Sequence, residues 1–165
     1  MLDLREVADG LIDKAKELLS SEGHFEPVGF VLAMTGELAC VELDMRNKEA
    51  RKNSRRGLWA LAQKVKAVAV FTVVDCMFRQ FEKEEEHEVD VQKAGLKSID
   101  WYSDPKVRAC IEMRIVVPGE YPTTVLVPYC RDEDGRLEFE TPMESAEDRD
   151  VNRFTFWGRE CALQN

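Results

Sequence analysis

The sequence predicts an α+β fold: an antiparallel sheet of about five or six strands with two principal helices, in the order α-β-β-α-β-β-β. Two segments carry apolar residues at three- and four-residue steps, and several others are short apolar runs or alternate with period two. Glycine-bearing turns join most of the short runs closely enough to force neighbouring strands antiparallel.

The first helix is expected over residues 3–21, where Leu4, Val7, Ala8, Leu11, Ile12, Ala15, Leu18 and Leu19 form one face and Gly23 supplies the stop. Val28 to Met34 and Leu38 to Leu43 flank Thr35-Gly36, a hairpin whose tight turn needs positive φ. The second helix is expected over 48–65 with Asn47 as its N-cap. Projected at about 100° per residue, Ala50, Ser54, Gly57, Leu58, Leu61, Ala62 and Val65 share its apolar stripe. Ala67 to Phe78 has Asp75 as its only charge and reads as a buried central strand. Residues 79–106 read as a loop insertion bearing an acidic run from Glu82 to Asp90. Val107 to Val117 alternates cleanly, Pro118-Gly119 turns it into Thr123 to Cys130, and Asp134-Gly135 leads into Leu137 to Thr141. Pro142 to Asp150 has no apolar pattern, while Phe154, Phe156 and Trp157 are expected to dock the tail on the body.

Composition bounds the rest. The 165 residues fit one domain, 1–165, large enough to bury its own core. A hydrophobic content of 44% with 33% charged residues excludes wholesale disorder. The net charge of −9 argues against bulk attraction to nucleic acid or anionic lipid. The longest charge-free stretches reach about ten residues, against the roughly 20 a bilayer span requires. The opening Met-Leu-Asp-Leu-Arg-Glu lacks the order of a secretory signal, so a cytoplasmic protein is expected. The five cysteines agree, being odd in number and free of metal-ligand spacing. Cys40, Cys76, Cys110 and Cys130 lie in strand-like runs, where a thiol behaves as a small buried hydrophobe; the competing reading, a redox or nucleophilic cysteine, needs an electropositive, partly exposed site.

Charge segregation is the most informative feature. Between Arg46 and Lys66, eight basic residues face the single acid Glu49, a net of +7 that leaves −16 on the remainder. Lys48, Lys52, Arg55, Trp59 and Lys66 project opposite the apolar stripe, so the indole is expected to look outward. Three readings compete: a solvated face paired with the chain's own acidic loops, a protein interface anchored by Trp59 with Lys52, Arg55 and Arg56, and an anion or nucleic-acid site.

Asp75 is the second candidate, a carboxylate costly to bury unless paired, with Arg79, Arg108 and Arg114 as possible partners. It could serve as a base or ligand group in an enzyme, or mark the point where its strand reaches the surface. His24 and His87 lack zinc spacing, and no phosphate loop, dinucleotide fingerprint or nucleophile elbow occurs. Trp101-Tyr102 could form a loop tip or tuck that loop against the sheet.

The stretch Glu22-Gly23-His24-Phe25-Glu26-Pro27-Val28-Gly29-Phe30-Val31-Leu32, with Gly36-Glu37, Val74-Asp75 and Pro128-Tyr129, resembles a pattern in small bacterial proteins of unknown function. The resemblance implies a bacterial α+β domain and transfers no catalytic residue; the acidic insertion and basic helix depart from it. The expectation is a non-enzymatic interaction module needing no metal or cofactor. It would take a protein partner or a second copy as a homodimer, with nucleic acid disfavoured and no membrane involved.

Overall fold

A computed structural model describes residues 3–79 and 107–146. Helix α1 spans Leu4–Glu22, capped by Asp3, whose carboxylate accepts from the Arg5 and Glu6 backbone N–H groups. Gly23, with φ of 80°, closes the helix in the left-handed conformation that glycine adopts without steric cost. Strands β1, Val28–Ala33, and β2, Leu38–Glu42, form the expected hairpin around Gly36. Helix α2 covers Lys48–Lys64, with the Asn47 side chain accepting from the Ala50 N–H at 2.9 Å. Strands β3, Ala67–Arg79, β4, Val107–Val116, β5, Thr123–Arg131, and β6, Leu137–Phe139, follow.

One strand had no counterpart in the sequence pattern. Met143–Ala146 forms β7 and pairs with Thr123 to Leu126 of β5, while β6 pairs with Tyr129 to Arg131. Pro128 falls between the two short strands. The sheet runs β2-β1-β3-β4-β5-β6, every pairing is antiparallel, and β7 lies beside β6 along β5. The α+β class, the two main helices and the antiparallel sheet are therefore as the sequence predicts. Of the loop insertion expected at 79–106, Arg79 is instead the last residue of β3, and residues 80–106, with His87 and Trp101-Tyr102, lie outside the described residues, as does the aromatic tail.

Side-chain alternation sends the strands' apolar residues to two faces, and each face receives one helix. Ala8, Ile12, Ala15 and Leu19 of α1 pack on Phe71, Val73, Ile111, Met113, Val125 and Val127. Leu58 and Ala62 of α2 pack on Val31, Val70 and Val116 of the opposite face. A side chain at Gly29 would put its Cβ 2.8 Å from Leu58 Cδ1, so the missing side chain is what lets α2 sit this close to β1. Only the second half of α2 presses on the sheet; its first half overhangs β3 and β4 and leaves a cleft beneath.

Candidate functional site

Four basic residues of α2 line that cleft: Lys48, Arg51, Lys52 and Arg55, at positions i, i+3, i+4 and i+7 of one helical face. The floor comes from Thr72, Val74 and Cys76 of β3 with Glu112 and Arg114 of β4, and the cleft measures about 750 Å³. Ser54 stands between the cations and fixes the helix entry, accepting from the Asp44 N–H at 2.8 Å. Arg46 holds the Asp44 carboxylate at 2.6 Å, and this hydrogen-bonded pair lowers the Asp44 pKa to about 2.

The electrostatics of the cleft are one-sided. Glu112 is engaged by Arg114 at 3.4 Å, so the floor is close to neutral while the helix wall is cationic. The positive end of the α2 dipole adds to that wall, since the four residues occupy its first two turns. Asp75 borders the cleft along β3, but its register partner Ile111 belongs to the core under α1, which puts the carboxylate on the other face.

Asp75 meets a tyrosine, a partner outside the three arginines that the sequence offers. Tyr129 donates its hydroxyl hydrogen to Asp75 Oδ1 at 2.6 Å. Arg108 pairs with Glu140 and Arg114 with Glu112, while the Arg79 side chain lies outside the described residues. The register explains the choice: Asp75 aligns with Ile111 and Val127, and Tyr129, two residues along β5, reaches back past small Ala109. Burial, followed by the Asp75 hydrogen bond and charge, pushes the Tyr129 hydroxyl pKa upward.

The proposed hot spot is split between two surroundings. Lys52 and Arg55 face the cleft, whereas Arg56 is exposed outside its lining. Trp59 corrects the outward expectation: it is half-buried and packs on the core around Leu58, Val31 and Val70. Its Nε1 is buried and has no hydrogen-bond partner among the described residues. A projection at fixed angle could not show that the flank of α2, as well as its apolar stripe, touches the sheet.

The cysteines also depart from the expectation of uniform burial. Cys40 and Cys130 are exposed, Cys76 is half-buried at the cleft floor, and Cys110 is buried. Cys76 and Cys110 are register partners on β3 and β4, with sulfurs 3.5 Å apart. Glu112 Oε2 lies 3.9 Å from the Cys76 sulfur. The bond to Cys110, then burial, then nearby negative charge drive the Cys76 thiol pKa upward. His24 is exposed, and no group of three or more His, Cys, Asp or Glu among the described residues could hold a metal ion.

Among the described residues, no helix is long and apolar enough to cross a membrane. Compared with known proteins, the chain matches no family model, no curated protein and no solved structure.

Proposed function

We propose that the protein is a non-enzymatic interaction module that takes an acidic segment of a partner protein into the cleft beneath α2. The observation that carries this reading is the stripe of Lys48, Arg51, Lys52 and Arg55 lining a concave surface in a chain of net charge −9. The seven steps of helix from Lys48 to Arg55 extend about 10 Å, which matches about three residues of extended peptide. Charge-assisted hydrogen bonds from guanidinium groups to carboxylates supply affinity and orientation. The anionic remainder of the molecule disfavours a long polyanion such as nucleic acid, whose charge would extend beyond the cleft.

The test is titration of the full chain with a hexaglutamate peptide, followed by calorimetry at low and moderate salt. Binding should weaken as salt rises, and the combined substitution of Lys48, Arg51 and Lys52 by Ala should reduce affinity about tenfold or more. Affinity unchanged by that triple substitution would remove the cleft from the account.

Self-association is a second reading, favoured by the outer edge of β2. Among the described residues that strand pairs only with β1; exposed Leu38 is its first residue, and exposed Met34 lies at the turn before it. Sedimentation of the full chain at several concentrations tests it, and Leu38→Lys should lower any association; a monomer at every concentration would exclude it.

A further inference from the structure

We infer that Cys76 and Cys110 form a dithiol oxidised by low-molecular-weight disulfides, with Cys76 as the sulfur that attacks the external disulfide and Cys110 as the resolving one. Cα atoms of directly opposed antiparallel residues lie about 4.5 or 5.5 Å apart, and both values fall inside the disulfide range. The sulfurs already stand 3.5 Å apart, joined by an S–H···S contact. Only Cys76 reaches the cleft, since Cys110 is fully buried behind it. That difference in access sets the order of the reaction. The two exposed thiols among the described residues, Cys40 and Cys130, have no such neighbour in the register, being opposed to Phe30 and Glu138.

The step balances with oxidised glutathione as the oxidant. The Cys76 thiolate attacks one glutathione sulfur and displaces the first glutathione thiolate, leaving a mixed disulfide. The Cys110 thiolate then attacks the Cys76 sulfur and displaces the second. Two protein thiols are oxidised, one disulfide is reduced to two thiols, and the protons lost by the cysteines pass to the leaving glutathione sulfurs. The raised thiol pKa of Cys76 keeps the thiolate fraction small, so the rate should climb with pH. The inference is independent of the acidic-ligand reading.

The experiment uses the full chain with Cys40, Cys130 and Cys161 replaced by Ser. After incubation with oxidised glutathione, two thiols should disappear, the mass should fall by two hydrogens, and digestion should yield one peptide joining Cys76 to Cys110. Dithiothreitol should reverse all three changes, and the oxidised form should melt about 10 °C higher, because the link closes a long loop in the unfolded chain. Adding Cys110→Ser should arrest the reaction as a glutathione adduct on Cys76. A lasting adduct with Cys110 present, or two thiols still titratable in the folded chain, would overturn the inference. If the serine variant does not fold, the native chain is mapped instead, and a linked peptide dominated by any other cysteine pair has the same consequence.

Discussion

Tyr129 and Asp75 share a hydrogen bond of 2.6 Å across an intervening strand, joining β5 to β3 over the small side chain of Ala109. A carboxylate in the middle of a sheet face is costly to desolvate without a donor, and the phenol supplies it from the same face that α1 covers. Tyr129→Phe should therefore destabilise the fold by about 1–2 kcal/mol, while Asp75→Asn, which keeps an acceptor oxygen, should cost less. Urea unfolding of the three chains measures the difference.

The same pair predicts an alkaline signature. Tyr129 keeps its proton longer in the folded chain than in the unfolded one, because its pKa is raised from 10.0 by burial and by Asp75. Its contribution is intact below pH 10 and is lost as pH rises further, since the unfolded chain ionises first. Melting temperature should fall more steeply above pH 10 in the native chain than in Tyr129→Phe. Equal slopes would detach the phenol from alkaline unfolding.

Much of this architecture is legible in the chain itself, because helices and turns are written locally. The periodicity of α1, the Asn47 cap and the glycine turns each depend on neighbours within a few residues. Strand β7 escaped because Met143–Ala146 is four residues long and half polar, so its pairing with β5 leaves no periodic trace. The contacts at the candidate site escaped for another reason: they are set by register. Cys76 meets Cys110, and Asp75 meets Tyr129, only after β3, β4 and β5 are aligned. The cationic stripe of α2 was visible as charge, but the cleft it overhangs depends on how far the helix extends past its contact with β1.

Arg46 and Asp44 provide a local acid–base test. The Asp44 carboxyl should titrate near pH 2 by carbonyl NMR, held there by the hydrogen bonds from Arg46. A carboxyl with lowered pKa contributes stability above its unfolded pKa of 3.8, and that contribution disappears as pH falls through about 2. Arg46→Ala should return the titration toward the ordinary aspartate range. An unmoved midpoint would assign the depression to another group.

The cap at Asn47 controls the end of the helix that bears the cationic stripe. Its side chain satisfies the Ala50 N–H, one of the donors left unpaired in a first helical turn. Asn47→Ala should cost about 1 kcal/mol, whereas Asn47→Asp should keep the cap and lose little. Hydrogen exchange at Ala50 should accelerate in the alanine variant; unchanged exchange would show that the turn does not depend on this bond.

Two glycines should respond in opposite directions to the same change. Gly57 sits within α2, where a Cβ would meet nothing within 4 Å beyond the helix's own backbone, so Gly57→Ala should stabilise the protein by about 0.5–1 kcal/mol through helix propensity. Gly29 stands in β1 beneath Leu58, where a Cβ would meet Cδ1 at 2.8 Å and Cδ2 at 3.1 Å. Leu58 is 1% exposed and sits among Val31, Val70 and Val116, so it has little room to withdraw. Gly29→Ala should cost about 1–3 kcal/mol, as overpacking of a well-filled core does. Because α2 would be lifted at this contact, the cationic wall should shift with it, and hexaglutamate affinity should change in Gly29→Ala but not in Gly57→Ala. Paired denaturation and calorimetry of the two variants decide the point: equal stabilities would mean that the close approach of α2 to β1 does not hold the cleft in place.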